Sequence, residues 1–153
     1  MDKKYILIIL LVVILLAIGV TFYSGSFNQN KISVGNAEFT IPDGYHKGVN
    51  NQLNDLNLTN GYNSIFFAKY DGEDVESSVD EMSAFIKNQN QTPHLTNFTV
   101  DNVLVHKLTI INNTQYYRYW FVDNGVTYCI YTWDGNANTD NLVTDLIKSI
   151  NQK

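Results

Sequence analysis

Gln115–Trp133, QYYRYWFVDNGVTYCIYTW, decides the fold. Two runs rich in aromatic and β-branched residues flank Asn124-Gly125, and both turn residues suit the positive φ of a two-residue type I′ hairpin. Such a short loop sets the register: Asp123 opposes Val126, Phe121 opposes Tyr128 and Tyr119 opposes Ile130. Val103–Ile111 precedes the pair as a third strand, so an antiparallel meander is expected over 103–133.

Strand alternation sorts the meander into two faces. One carries Leu104, His106, Leu108, Ile110, Tyr117, Tyr119, Phe121, Tyr128 and Ile130 and reads as the main core. The other carries Val103, Val105, Lys107, Tyr116, Arg118, Trp120, Val122, Cys129, Tyr131 and Trp133. This second face is too aromatic for a plainly solvated surface, yet it holds two cations. It is either covered by a helix or loop, or it is an exposed recognition surface. As a partner-binding site it would use Lys107, Arg118, Trp120, Tyr131 and Trp133.

Upstream, Val75, Val79, Met82, Phe85 and Ile86 recur at helical spacing, which predicts a helix over 75–88. Asp74 is its candidate N-cap, early carboxylates and a late Lys87 suit its dipole, and a polar loop containing Pro93 follows, with a short strand at Phe98–Val100. Downstream, Leu142, Val143, Leu146, Ile147 and Ile150 form the stripe of a last helix, capped by Asn138 or Thr139. At the front, Ile32–Val34 and Ala37–Ile41 read as strands around a Gly35-Asn36 turn. Residues 46–61 are polar, with an edge strand ending at Asn60-Gly61, and Tyr62–Tyr70 is a further strand. Strands, helix, strands, helix make an α+β domain with an antiparallel sheet and two main helices packed on it.

Before this domain lies Tyr5–Tyr23, nineteen residues without a charge. As a helix the run spans about 28 Å, near the hydrocarbon thickness of a bilayer. Lys3 and Lys4 precede it, so the positive-inside rule keeps the N-terminus cytoplasmic and puts the C-terminal domain outside. The run reads as an uncleaved signal anchor. A cleaved signal peptide, cut near Ser24-Gly25-Ser26, is the alternative. The expected organisation is an anchor at 1–24, a tether at 25–31 and an extracytoplasmic domain at 32–153.

From residue 24 onward, eight Lys or Arg stand against fourteen Asp or Glu, a net charge of −6. Bulk charge therefore argues against nucleic acid as a partner. The single cysteine, Cys129, precludes an intrachain disulfide and reads as a small buried hydrophobe. Sequons at Asn57, Asn90, Asn97 and Asn112 are possible glycosylation sites on an outward-facing domain.

No metal or cofactor signature is present. Asp134, Asn136, Asn138 and Asp140 alternate as in a calcium loop, but Thr139 stands where such a loop needs Gly and Asp145 where it needs Glu. A polar turn with a helix cap explains the run better. His46, His94 and His106 have no metal-ligand spacing. No cofactor is expected, and no nucleophile elbow frames the serines.

Phe39-Thr40-Ile41-Pro42-Asp43-Gly44-Tyr45 resembles the opening signature of PsbP-like domains, an early strand ending in a Phe-x-x-Pro-x-Gly-aromatic turn. The order of elements over about 32–151 is similar to that family's as well. The resemblance implies an α/β/α sandwich and, since known members act mostly in binding or assembly, a non-enzymatic role. Extrinsic photosystem subunits, a nuclear-import factor that binds a small GTPase and many small anchored or secreted prokaryotic proteins share this fold. The polar stretch 46–61 and the anchor depart from plant members. The expected function is an anchored binding or assembly module at the cell surface that engages the membrane through residues 5–23 and another envelope protein through its domain. The alternatives are a cell-envelope hydrolase with an unrecognised site and a structural glycosylated surface protein.

Overall fold

The Asn124-Gly125 turn forms as its residues require, with φ of 46° and 76°. It joins two strands of a computed structural model that describes residues 30–48, 56–70, 72, 74–111 and 114–152. The expected membrane anchor over 1–24 and nearly all of the tether lie outside the described residues, as do Leu53, Asp71, Glu73 and Asn112. No helix among the described residues is long and apolar enough to cross a membrane.

In chain order the elements are β1 (Lys31–Val34), β2 (Ala37–Thr40), β3 (His46–Lys47), β4 (Leu56–Thr59), β5 (Ser64–Tyr70), α1 (Val75–Asn88), β6 (Pro93–Val100), β7 (Val103–Ile111), β8 (Gln115–Asp123), β9 (Val126–Thr132), α2 (Thr139–Lys148) and β10 (Asn151–Gln152). Among the described residues, seven strands form an antiparallel sheet in the order β3-β4-β5-β9-β8-β7-β6. A small second sheet has the order β1-β2-β10. The three expected hairpin pairs, Asp123 with Val126, Phe121 with Tyr128 and Tyr119 with Ile130, all occur.

The large sheet is covered on both sides. On one side α2, β1 and β2 bury Phe39, Phe67, Tyr119, Phe121, Tyr128, Ile130 and Leu146. Ser149 ties the helix end to β2: its Oγ accepts from the Thr40 N–H at 2.9 Å and donates to the Leu146 carbonyl at 2.7 Å. On the other side α1 packs Val79 and Ile86 onto Leu108, Tyr116, Trp120, Cys129 and Tyr131. This helix begins as its residues dictate: Asp74 Oδ2 accepts from the Ser77 N–H at 3.3 Å.

The structure corrects two expectations. First, the faces of β7 are reversed relative to β8 and β9. Val105 pairs with Phe121 and Lys107 with Tyr119, while His106 pairs with Trp120 and Leu108 with Arg118. The connection between β7 and β8 spans residues 112–114, so Ile111 opposes Gln115 and odd positions face odd ones. His106, expected in the main core, therefore lies under α1, and Lys107 lies under α2. Second, the strand expected at Phe98–Val100 begins at Pro93 and pairs with β7 along its whole length. Asp101 and Asn102, with φ of 45° and 70°, make a second two-residue turn that extends the ladder. Pro93 stands at the first position of an edge strand, where its missing N–H costs no ladder bond.

Candidate functional site

β8 and β9 bring four of the five expected partner-binding residues onto one face. Arg118 pairs with Tyr131, Trp120 follows two residues along β8, and Trp133 continues β9 beyond its last ladder residue. The Trp133 ring lies 4.7 Å from that of Tyr116 and 6.3 Å from that of Tyr131. Lys107 is not part of the group. On the opposite face it donates from Nζ to Asp140 Oδ2 at 2.8 Å and sits 4.2 Å from the Tyr117 ring centroid.

Coverage by α1 divides the four. Trp120 and Tyr131 are buried, at 1% and 7% exposure, whereas Trp133 is 58% exposed. Arg118 is half-buried between them, its guanidinium 4.8 Å from the Tyr131 ring, 5.5 Å from Trp120 and 5.7 Å from Tyr116. Three aromatic rings thus hold one cation, an arrangement that gains strength as water is excluded. Arg118 Nε and Trp120 Nε1 are both buried donors without a hydrogen-bond partner. Burial raises the Tyr116 hydroxyl to about 12, outweighing the pull of the Arg118 charge.

Beside this cluster, residues from the C-terminal half of α1 and from the sheet line a groove of about 410 Å³, inside the roughly 300–1,000 Å³ range of ligand sites. Met82, Phe85 and Ile86 form its helix wall, and Ile110, Tyr116 and Trp133 its sheet wall. Arg118 sits within it, with Gln89, Gln91 and Thr114 also among its lining. Phe85, an apolar residue on the helix stripe, is 58% exposed. None of the described lining residues is acidic. Arg118, Met82 and Phe85 also border a smaller recess of about 230 Å³ with Tyr70, Ser78, Glu81 and Trp120.

The sequence pattern singled out Arg118 and Trp133 and placed Tyr116 on their face, but it did not find the helix wall. Met82 and Phe85 read there as core stripe. The signal that could have separated them is the breadth of the stripe: Val79, Ser83 and Ile86 are the buried residues of the helix, with Met82 half-buried and Phe85 exposed at the margin.

The other expected sites fall elsewhere. In the calcium-like loop, Asp140 turns inward, where its Oδ1 accepts from the Tyr119 hydroxyl at 2.7 Å and lies 2.7 Å from Lys107 Nζ. Asn136 Oδ1 accepts from the Asn138 N–H at 2.9 Å, and Thr139 Oγ1 from the Asn136 N–H at 2.8 Å. These contacts build a helix-entry turn. Asp134, Asn136 and Asn138 also border a polar hollow of about 230 Å³ with Tyr45, Asn60 and Asn63. His46 and His94 are exposed on β3 and β6. His106 is buried, with Nε2 3.7 Å from Glu76 Oε1. Cys129 is fully buried under α1. Among the sequons, Asn57 is half-buried in β4, while Asn90 and Asn97 are exposed.

No protein-family model matches the chain, and no curated protein matches it. Its fold is similar to that in the solution structure of cyanobacterial PsbP (CyanoP) from Synechocystis sp. PCC 6803. The likeness covers 80% of this chain and 91% of that one, with a TM-score of 0.52 and 11% identity. At that identity it establishes the architecture alone: the described domain has a PsbP-like α+β fold.

Proposed function

We propose that the chain is a single-pass, membrane-anchored, extracytoplasmic binding module that engages another envelope protein through the groove between α1 and the β8–β9 hairpin. The anchor rests on the uncharged run Tyr5–Tyr23 behind Lys3 and Lys4. The observation that carries the binding role is the groove itself. Exposed Phe85 and Trp133 flank a half-buried cation, and an apolar hollow of that kind is costly to leave in water unless something fills it. The rigid two-sided sheet beneath supplies a pre-organised platform.

Trp120 is unsuited to testing this reading, because truncating a buried tryptophan costs about 3–5 kcal/mol and removes the fold with the site. Phe85→Ala and Trp133→Ala change exposed groove walls instead. Affinity purification of the full chain from crosslinked membranes should recover a specific envelope protein, and the double variant should lose it while keeping the wild-type circular dichroism. Equal recovery by the folded variant sinks the site. Protease accessibility of residues 32–153 on intact cells tests the address: protection without permeabilisation contradicts the extracytoplasmic placement.

A further inference from the structure

The groove's polar groups sort its occupants. Arg118 is the one cation among the groove's described lining residues and none of them is acidic; Glu81 borders the adjoining recess instead. Guanidinium presents a planar fork that matches a carboxylate bidentately, and such charge-assisted bonds are the strong ones in a desolvated site. The walls are apolar and aromatic. Gln89, Gln91 and Thr114 add amides and a hydroxyl that can pair with a peptide backbone and that an alkyl chain cannot use. The space accommodates a few residues of extended chain and no folded element.

We infer that the groove captures the free C-terminus of a partner polypeptide, with Arg118 binding the α-carboxylate and Met82, Phe85 and Trp133 enclosing an apolar or aromatic last side chain. This rests on the groove being the binding face and names what is recognised there. C-terminal carboxylate capture is a recurring mode of peptide recognition. An overall net charge of −5 disfavours anions at large and leaves Arg118 to select them locally.

The test is a titration of the full chain in detergent with three probes: N-acetyl-Ala-Leu-Phe with a free carboxylate, the same peptide as its amide, and decanoate. Tryptophan fluorescence reports binding through exposed Trp133. The free acid should bind about ten-fold tighter than the amide. Arg118→Gln should abolish that preference, and Arg118→Lys, which keeps charge without the fork, should retain part of it. The acid-to-amide comparison uses the wild-type chain, so it stands even if an Arg118 variant fails to fold. Equal affinity for acid and amide overturns carboxylate capture while leaving the groove as a binding site. Decanoate binding as tightly as the acid overturns the peptide assignment. Absence of binding by any probe overturns the inference, and crosslinking through the groove walls then decides the binding role independently.

Discussion

The two faces of the large sheet use similar residues and reach different ends. Under α2, β1 and β2, the sheet's tyrosines and phenylalanines are sealed. Phe121, Tyr119 and Tyr128 are at most 1% exposed, and Lys107, a cation set among them, is neutralised by Asp140. Under α1 a single helix does the covering, and it reaches only part of the aromatic surface. Arg118 is left caged by rings without a carboxylate beside it in the groove, and Trp133 and Phe85 stay in solvent. Two layers of cover make a core; one layer makes a core with an open end. Stability belongs to the first face, and the candidate binding surface belongs to the margin of the second.

Truncation in the sealed face should have the largest effect. Phe121→Ala removes a fully buried ring stacked at 5.7 Å on Tyr128, and should lower unfolding free energy in urea by about 3–5 kcal/mol. A cost under about 1 kcal/mol would mean this face is not the tightly packed one.

Alkaline pH should strike both faces. Burial raises Tyr119 and Tyr116, and Asp140 raises Tyr119 further. A tyrosine whose folded pKa lies above its unfolded value of 10.0 holds its proton longer when folded. Its stabilisation is complete below pH 10 and is lost as pH rises through the folded value. For Tyr116, from 10.0 to about 12, this amounts to about 2–3 kcal/mol lost between those pH values. Thermal melts of Tyr116→Phe should show a shallower alkaline decline than wild type, and identical declines would contradict the burial of this hydroxyl.

Breaking the charge pair of the sealed face should cost less. Asp140→Ala leaves Lys107 Nζ and the Tyr119 hydroxyl without their acceptor. Asp140 is half-exposed, so water recovers part of the loss, and about 1–2 kcal/mol is expected in denaturant titration. Phe85→Ala, on the open face, should change stability by less than about 1 kcal/mol, since the ring is mostly in solvent. A loss comparable to that of Phe121→Ala would make the groove wall part of the core.

Much of this contrast is legible in the residues, and the gaps have physical causes. The β8–β9 register follows from a two-residue turn whose geometry allows little else, so Arg118, Trp120, Tyr131 and Trp133 group correctly. The face of β7 does not follow. Both its sides are apolar because the sheet is covered twice, so Val103 and Val105 on one side and Leu108 and Ile110 on the other carry no polarity signal. Only the three-residue connection before Gln115 settles it, and that sent Lys107 to the opposite face. The first part of β6, before Phe98, stayed hidden because an edge strand needs no buried stripe: His94 to Asn97 are all exposed. The groove was illegible for a different reason. Helix periodicity says which residues of α1 point inward but not which sheet residues they meet, and the groove is lined by Met82, Phe85 and Ile86 together with Tyr116 and Trp133.

Site-specific photocrosslinking on the full chain in its own membranes tests the central claim most directly. A benzophenone side chain at position 85, on the groove wall, is compared with one at exposed Lys148 at the end of α2 on the opposite face. The open-face account expects a discrete crosslinked protein from position 85 and none from position 148. A discrete adduct from position 148, with none from 85, would contradict it.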